Sequence, residues 1–410
     1  MCGAGCDVRH EVAIVGAGPA GARAAYVLAR RGVRVTIFDG SHPREKPCGG
    51  GVTGRALALV ADAVDPRTFP HTVIRSARFT QTPARGVGMM GRSSGLEVRV
   101  GVPLDPEALV VASRARFDAA LLAAAERAGA RLVRARVTDL STGASGVTLT
   151  TAGGGQHTAS YVIGADGANS LVRRRLATPW RRDQLSIATG FFAHGVTSDE
   201  IVIELMPDPP GYIWSFPRPG HLAIGICVQA DVGIGVGALR ARTAAWIAAT
   251  RIAEGATLEP YAWPIPSLGA GDFEALALTG PRWALVGDAA GLVDPITREG
   301  IFFAIASGQW IADALMADDP APDYASRVRD EAVSELARAA RLKAGFFRPA
   351  FTGLMIRALT ESGAIRSVMA DLVAGRQNYS TLTWRLLKTF EVGLAWRALT
   401  TSGERRRTND

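Results

Sequence analysis

Two short apolar runs and the segment between them organise the first part of the chain. Val12–Val15 is apolar throughout, which is typical of a strand buried on both faces of a sheet. An Ala-rich segment with helical periodicity follows, and a second apolar run, Val33–Phe38, ends on Asp39. Strand, helix and strand in this order predict a parallel βαβ unit.

The rest of the pattern predicts a second sheet and a helical end. Short segments bounded by turn residues predict strands, mostly antiparallel, at residues 72–104, 131–163 and 185–267. Longer segments predict helices at 114–129, 236–252 and 300–317. From about residue 324 the pattern is helical, interrupted at Pro349 and at glycines.

The turn between the first strand and the first helix reads Gly16-Ala17-Gly18-Pro19-Ala20-Gly21. In this context Gly16 permits the tight turn, Gly18 lets the backbone approach a pyrophosphate, and Gly21 permits close packing of helix on strand. The helix N-terminus adds unpaired N–H groups and the positive end of a dipole. Asp39 can accept hydrogen bonds from ribose hydroxyls. The set predicts a bound dinucleotide, with Pro19 and Ala20 at the same loop.

Two further Asp/Gly turns follow short apolar strands, at Gly164–Asn169 and Gly287–Gly291. With the first turn, they resemble the signature sequences of flavoproteins similar to p-hydroxybenzoate hydroxylase. The resemblance implies that the dinucleotide is FAD, that Asp166 lies near its pyrophosphate, and that Asp288 beside Gly287 hydrogen-bonds its ribityl chain. It also implies that Arg116 lies near the FAD phosphates.

Two segments outside these turns resemble the geranylgeranyl reductase family of flavoenzymes. One is the loop Lys46-Pro47-Cys48-Gly49-Gly50-Gly51; the other is Tyr212-Ile213-Trp214-Ser215-Phe216-Pro217, followed after seven residues by Gly225. The family carries G-x-G at this last site, whereas the second glycine is Cys227 here, so the fine shape of the pocket does not transfer. The resemblance implies that Lys46, Cys48, Gly49 and Gly50 lie at the flavin, and that Pro295, Gly300 and Ile301 border its pyrimidine end.

The residue types suit an apolar substrate. Tyr212, Trp214 and Phe216 alternate along a strand and therefore point to one face, where they can line an isoprenoid chain or the flavin ring. The alternative is that they belong to the core of the second sheet. Cys48 could donate a proton or gate access, or it could be a small packing residue. Cys48, Tyr212 and Trp214 are the catalytic candidates, and Tyr212, Trp214 and Phe216 are the pocket candidates.

We therefore expect an α/β fold with an FAD-binding Rossmann-type domain, similar to glutathione reductase and p-hydroxybenzoate hydroxylase. A second, mostly antiparallel sheet would hold the substrate, and a helical region would end the chain. The expected FAD-binding domain is discontinuous, at residues 9–72, 101–184 and 276–323. The substrate domain would comprise residues 73–100 and 185–275, and the helical region residues 324–410.

The resemblance implies a reductase that saturates carbon–carbon double bonds of a polyprenyl group by hydride from reduced flavin. NADPH or another transient donor would reduce the flavin, since the sequence shows no second dinucleotide fingerprint. One alternative is a flavin-dependent monooxygenase or halogenase, but halogenases carry W-x-W-x-I-P where this chain has Tyr212-x-Trp214-x-Phe216-Pro217. Another alternative is a non-catalytic flavin-binding redox sensor.

The composition of the chain limits the classes of partner and ligand that the sequence predicts. The 410 residues include 46 Lys and Arg, only three of them Lys, and the net charge is +8. The basic residues are mostly scattered, without interleaved aromatics, so no nucleic-acid site is predicted. Four cysteines and no apolar leader favour a reducing cytoplasm, and Cys2 and Cys6 alone do not predict a metal site.

The segment Leu342–Leu359 mixes aromatic and aliphatic residues with Lys343, Arg348 and Arg357. Such a mixture suits a short interfacial helix on anionic lipid, which would give the protein a peripheral contact with the inner face of the membrane. The alternative is that these apolar residues pack on the FAD-binding domain.

Overall fold

The computed structural model describes residues 11–81, 98–144 and 146–389. In chain order the strands are β1 Glu11–Val15, β2 Arg34–Phe38, β3 Gly51–Thr53, β4 His71–Val73, β5 Ser76–Gln81, β6 Val98–Pro103, β7 Leu109–Ala112, β8 Arg131–Val133, β9 Val137–Gly143, β10 Gly146–Thr151, β11 Gln156–Ala159, β12 Tyr161–Gly164, β13 Leu185–His194, β14 Glu200–Pro207, β15 Pro210–Arg218, β16 His221–Gln229, β17 Thr257–Pro266, β18 Thr279–Gly280 and β19 Trp283–Leu285. The helices are α1 Pro19–Arg30, α2 Gly54–Ala58, α3 Arg114–Arg127, α4 Leu171–Leu176, α5 Val236–Thr250, α6 Ala270–Glu274, α7 Ile301–Ala314, α8 Pro320–Val328, α9 Ser334–Phe346, α10 Pro349–Glu361, α11 Gly363–Val373 and α12 Tyr379–Lys388.

The first sheet has six strands in the order β18-β19-β12-β1-β2-β8. Its pairs are parallel except for β18 with β19. Ile14 of β1 lies between Ile163 and Ile37 of its neighbours, and all three are fully buried. This explains the uninterrupted apolar runs, because helices α1, α3 and α7 pack in the same core.

Helix α1 begins at Pro19, whose missing N–H suits the first turn of a helix. Gly308 of α7 lies against this helix, and a Cβ there would stand 2.3 Å from the carbonyl oxygen of Ala20. The absence of a side chain at Gly308 therefore brings α7 and α1 close together beside the glycine-rich turn.

The second large sheet has seven strands in the order β17-β13-β16-β15-β14-β5-β6, antiparallel except for β14 with β5. One face packs on α5, where Leu239, Trp246 and Ile247 meet Ile213 and Ile224. The opposite face carries Tyr212, Trp214 and Phe216 of β15. The sheet thus buries one face in its own core and turns the other toward the first domain.

Helices α9 to α12 form the C-terminal helical region of the described chain. At the edge of the second sheet, helix α10 packs on β5, β6 and β14, and helix α11 packs on β6. Phe347, Met355, Ile356, Leu359 and Met369 are buried in this contact. The region therefore covers the end of the sheet that would otherwise expose apolar side chains.

The observed helices and strands lie close to the positions that the sequence predicts. Helices expected at 114–129, 236–252 and 300–317 are α3, α5 and α7, with ends that differ by at most three residues. The expected boundary between residues 100 and 101 falls inside β6, and the proposed division into domains stays a prediction. Cys2, Cys6 and the part of the expected strand at Leu96 and Glu97 lie outside the described residues. Within the described residues, no helix combines the length and apolar character needed to cross a bilayer.

Candidate active site

One cavity of about 1150 Å³ joins the glycine-rich turn of the first sheet to the aromatic face of the second. Its polar half is lined by Gly16, Gly18, Pro19, Ala20, Asp39, His42, Lys46, Cys48, Gly50, Arg114, Asp166, Asp288, Gly300 and Ile301. Its apolar half is lined by Phe79, Leu109, Ile201, Ile203, Leu205, Tyr212, Trp214, Phe216, Ile296, Phe346, Met369, Leu372 and Val373. Residues expected at the cofactor and residues expected at the substrate therefore share one space.

The three glycines of the first turn are required for different reasons. Gly16 has a φ of 104°, and a Cβ there would stand 2.4 Å from the carbonyl oxygen of Ala165. A Cβ on Gly21 would stand 2.0 Å from the carbonyl oxygen of Gly16. Gly18 has an ordinary φ of −69°, and its Cβ would meet only His42 Nε2, at 3.8 Å. Since the fold itself does not need Gly18, the open space beside it fits the pyrophosphate of a dinucleotide.

Asp39 is held by backbone donors and by a histidine that the sequence interpretation missed. Its carboxylate accepts hydrogen bonds from the backbone N–H groups of Ala17 at 2.9 Å and Ser41 at 2.7 Å. His42 Nδ1 lies 2.7 Å from Asp39 Oδ2, and His42 Nε2 lies 3.5 Å from Asp118 Oδ2. The imidazole therefore bridges two carboxylates at the expected ribose site.

This bridge favours the charged forms of both His42 and Asp39. Burial lowers the pKa of His42, but the hydrogen bonds that its imidazole donates to Asp118 and Asp39 outweigh this effect and raise that pKa. Burial likewise raises the pKa of Asp39, but the hydrogen bond and charge of His42 bring it far below its usual range. The bridge therefore favours a cationic imidazole between two ionised aspartates.

Arg116 does not lie where the resemblance placed it. It is exposed on α3 and does not line the cavity, whereas Arg114 is buried and does. The two side chains diverge because two residues along a helix are separated by about 200° around its axis. Arg114 pairs through Nε and Nη2 with Asp118, both at 2.9 Å, and also interacts with the Cys48 side chain. Arg114 is therefore the arginine of this helix that faces the cavity.

The two later aspartates have different partners. Asp166 caps α4, accepting from Leu171 N at 2.6 Å and Val172 N at 3.2 Å, and burial raises its pKa. Asp288 lies at the cavity wall, where Lys46 Nζ donates to it at 3.0 Å. Gly287, beside Asp288, is buried and does not line the cavity. The proposed roles of these residues toward FAD stay predictions.

The loop carrying Cys48 is fixed by its main chain. Arg218 of β15, fully buried, donates to the carbonyl oxygens of Gly49 at 3.3 Å, Lys46 at 3.4 Å and Cys48, and pairs with Glu45. Cys48 Sγ accepts from the N–H of Gly50 at 3.3 Å and lines the cavity. The loop thus presents the thiol from a backbone tied to the second sheet.

The glycines of this loop have a packing reason that differs from the expected one. A Cβ on Gly49 would stand 2.1 Å from Phe216 Cδ2, so the planar ring that approaches Gly49 is that of Phe216. Gly50 has a φ of 85°, and its Cβ would stand 2.4 Å from the carbonyl oxygen of Ala112. Gly49 does not line the cavity. Phe216 therefore joins the aromatic wall to the Cys48 loop.

The aromatic wall is held from behind by small residues. A Cβ on Gly225 would stand 2.5 Å from Trp214 Cζ2, so the indole lies flat against β16. Tyr212 donates its hydroxyl hydrogen to the carbonyl oxygen of Thr297 at 3.2 Å and stacks on Phe347 at 6.5 Å. Burial raises the pKa of Tyr212 well above its usual value. Tyr212 is therefore a neutral hydrogen-bond donor, and Trp214 forms the flat surface of the cavity.

The turn before α7 closes the polar half. Asp294 accepts from the N–H groups of Ile296 at 2.7 Å and Thr297 at 2.9 Å, and from the Tyr379 hydroxyl at 2.8 Å. Gly300 and Ile301 line the cavity at the start of α7, whereas Pro295 does not. The N-terminus of a 14-residue helix therefore faces the place expected for the pyrimidine end of a flavin.

Several site residues had little signal in the sequence. His42, Glu45, Asp118 and Arg218 meet their partners only through the fold, with Glu45 and Arg218 separated by 173 residues. Arg218 had one usable signal: it continues the alternation of Tyr212, Trp214 and Phe216 and so lies on the same face of β15.

Residues 9–317 match the family model described as an FAD binding domain. The menaquinone reductase of Mycobacterium tuberculosis is 31% identical over 348 residues, covering 79% of this chain and 81% of that protein. The digeranylgeranylglycerophospholipid reductase of Methanothrix thermoacetophila is 30% identical over 368 residues, covering 83% of this chain and 88% of that protein. These likenesses extend beyond the cofactor turn to most of the molecule.

Solved structures share the fold. A geranylgeranyl bacteriochlorophyll reductase-like protein from Thermoplasma acidophilum has a TM-score of 0.75 at 23% identity, over 93% of this chain and 99% of that one. A flavin-dependent brominase has a TM-score of 0.69 at 17% identity, over 92% of this chain and 98% of that one. The predicted fold class, the FAD cofactor and an oxidoreductase activity are confirmed. The chain belongs to the geranylgeranyl reductase family of FAD-dependent oxidoreductases.

Proposed function

We propose that this enzyme saturates carbon–carbon double bonds of a polyprenyl group. The observation that carries the proposal is the continuity of the cavity, in which the FAD-binding half opens into an apolar half walled by Tyr212, Trp214 and Phe216. An apolar chain lying in that half would bring its double bonds to the flavin end without crossing charged side chains. Relatives named as reductases of geranylgeranyl lipids support the same substrate class.

The protein's own residues would bind the flavin, orient the prenyl chain and shield the reaction from water. Asp39, Gly18 and Asp288, which line the cavity, would hold the ribose, the pyrophosphate and the ribityl chain of FAD. When bound and reduced, FAD would supply hydride to the double bond, and NADPH or another cellular reductant would return the oxidised flavin to its reduced form. Trp214 would orient the prenyl chain, and the Cys48 thiol, which lines the same cavity, would deliver the proton that completes saturation.

The substrate half excludes water by its lining and its cover. Met369, Leu372 and Val373 of α11 line the apolar half and close it from the C-terminal side. Their apolar side chains leave no fixed partner for water along that wall. Such an environment favours transfer of hydride to a neutral alkene over reaction with solvent.

The test is the mass of the product. The protein and its Gly18→Val variant are each expressed beside a pathway that makes polyprenyl lipids, and the lipid extracts are compared. We expect mass gains in multiples of two hydrogens with the wild-type protein and none with the variant. Products that gain oxygen or a halogen would instead favour the alternative of a monooxygenase or halogenase, which shares this fold. FAD-loaded protein that leaves every lipid unchanged would favour a redox sensor.

A further inference from the structure

Two cations share one acceptor behind the aromatic wall. Arg298 Nη1 donates to Ser267 Oγ, and Lys343 Nζ donates to the same oxygen at 3.0 Å and to Gln229 Oε1 at 2.9 Å. Both side chains are partly buried. Within the described residues, neither forms an ion pair with a carboxylate. Two like charges in this setting are costly unless an anion joins them.

Two carboxylates near the pair, Asp272 and Asp294, accept hydrogen bonds from other groups. Asp272 interacts with Lys343 only at long range, because its oxygens accept from Arg181, Gln184 and the N–H of Gly269. Asp294, which precedes Arg298 by one turn, accepts from two backbone N–H groups and from Tyr379. Among the described residues, Asp231 and Asp272 therefore act on Lys343 only through their charge, and no carboxylate forms an ion pair with either cation.

The cavity beside the pair also presents buried donors without acceptors. Trp214 Nε1, Trp263 Nε1 and Arg298 Nε are buried and have no hydrogen-bond partner among the described residues, and all three residues line the cavity. Each is a donor that cannot accept a hydrogen bond. A ligand that satisfies them must be rich in acceptor atoms, and the adjacent charges require it to be negative.

We infer that Arg298, which lines the cavity, and Lys343, which donates to the same Ser267 oxygen from behind the cavity wall, form a subsite for a phosphate or diphosphate group at the polar end of the substrate cavity. The inference rests on the proposed function, because the group is taken to be the head of a prenyl diphosphate whose chain occupies the apolar half. The phosphate of a pyridine-nucleotide donor presents the same chemistry and is the second source to be separated by experiment. The FAD pyrophosphate is expected elsewhere, at Gly18 and the start of α1, whereas Arg298 directly precedes α7 at the ring end.

The position of Lys343 makes this subsite sensitive to pH. Burial, and then the charge of Arg298, lower the pKa of Lys343 to about 8, against smaller opposing effects of Cys227, Asp231 and Asp272. As pH rises through that value the lysine loses its charge in the free site. A phosphate does not lose negative charge as pH rises, so any loss of affinity in this range comes from the protein.

The charge of Arg298 can be removed by a substitution that we expect to leave the fold intact. Its φ of 61° lies in the left-handed region, where glycine is unstrained, so Arg298→Gly removes the charge and relieves the backbone. Arg251 has a φ of 57° and is exposed at the end of α5, so Arg251→Gly makes the same change away from the cavity. Lys343→Met keeps the length of the side chain without the charge, and Arg341→Met changes an exposed cation on the same helix.

The experiment measures binding of inorganic pyrophosphate to the FAD-loaded protein by calorimetry at low ionic strength. We expect Arg298→Gly and Lys343→Met each to weaken binding roughly tenfold or more, and Arg251→Gly and Arg341→Met to leave it unchanged. Wild-type affinity should fall between about pH 7 and about pH 9, and the Lys343→Met variant should not show this fall. Equal pyrophosphate affinity in all five proteins, or a change in flavin content or flavin potential instead, would overturn the inference.

A second measurement separates the two sources of phosphate. A rise in KM for geranylgeranyl diphosphate, with KM for NADPH and for a prenyl alcohol unchanged, assigns the subsite to the substrate head. A rise in KM for NADPH alone assigns it to the electron donor. Pyrophosphate binding that depends on the pair in a protein without prenyl-reductase activity would leave the anion subsite standing and would refute the proposed function.

Discussion

At the scale of single residues, Gly18 and Gly21 separate what the cofactor needs from what the fold needs. Gly18→Val would fill the open space beside the turn, while a Cβ at Gly21 would meet a backbone oxygen at 2.0 Å. We therefore expect Gly18→Val to yield folded protein without FAD, and Gly21→Ala to yield little folded protein. Circular dichroism and the absorbance of flavin released on denaturation measure the two effects. A yellow, FAD-loaded Gly18→Val protein would contradict the pyrophosphate site.

His42 gives the FAD site a pH dependence of defined direction. Since its pKa is raised in the folded state, its stabilising pairing with Asp39 and Asp118 is fully present below its ordinary value, near pH 6.5, and is lost as pH rises through the raised value. Thermal unfolding of the FAD-free protein should therefore lose stability across that range, and His42→Gln should remove this part of the slope. His194→Gln, at an exposed histidine paired with Glu259, is the control. An unchanged slope in His42→Gln would refute the bridge.

Residue-scale prediction succeeded where neighbours in sequence are neighbours in space. The spacing of Gly16, Gly18 and Gly21 predicted the cofactor turn because all three act within one strand–turn–helix unit. Arg116 was assigned in place of Arg114 because a motif in letters does not show which side of a helix faces the cavity. His42 was missed because its second partner, Asp118, comes from another element.

At the scale of elements, β15 and β16 together determine the position of the Trp214 indole. Gly225→Ala would place a Cβ 2.5 Å from Trp214 Cζ2 and 2.6 Å from the Tyr261 hydroxyl oxygen. We expect a stability cost of about 1–3 kcal/mol, a displaced indole and lower turnover, with FAD still bound. Indole fluorescence, flavin content and lipid product report these separately. Gly237→Ala, where a Cβ meets nothing within 4 Å, should change none of them.

The same strand tests the aromatic wall directly. Trp214→Ala removes a large buried side chain, with an expected loss of about 3–5 kcal/mol, and should cut turnover more than it cuts FAD content. Trp214→Phe keeps an apolar ring and should recover most of the stability. If turnover and the yield of flavin-loaded protein fell in parallel in both variants, the role of Trp214 would be only structural.

The Cys48 loop gives a prediction about chemistry rather than stability. If the thiol delivers a proton, Cys48→Ala should bind FAD normally but change the yield or the number of double bonds reduced, and Cys48→Ser should retain more activity than Cys48→Ala. Mass analysis of the lipid products checks this against flavin content. Product profiles identical to wild type in both variants would assign Cys48 to packing.

At the scale of the whole molecule, the segment Leu342–Leu359 has one apolar side that packs on the protein and another that is exposed to solvent. Phe347, Met355, Ile356 and Leu359 pack inward, whereas Leu342, Phe351 and Leu354 are each about 40% exposed. The sequence could show that this segment is amphipathic, but only the fold determines which side is covered. The exposed residues keep the proposal of a peripheral, salt-sensitive contact with anionic lipid open to test.

Vesicle flotation measures that contact. The protein should float with anionic vesicles at low salt and less with neutral vesicles or at high salt. The double variant Phe351→Ser, Leu354→Ser should float less, whereas Leu258→Ser, at an equally exposed leucine of β17, should behave as wild type. Wild-type protein that stays in solution with anionic vesicles, yet reduces a membrane-embedded lipid, would exclude this docking surface.

The anchoring of the Cys48 loop by Arg218 has a consequence for how such enzymes diversify. Arg218 binds main-chain carbonyl oxygens, which every amino acid carries, so these three hydrogen bonds do not depend on which side chain stands at position 48. We therefore expect position 48 to accept a thiol, a hydroxyl or an inert methyl group at the same point of the cavity without a change in the surrounding structure. In a family that handles many lipids, this separation of frame from functional group offers evolution, and the protein engineer, a single site at which chemistry can be changed independently of architecture.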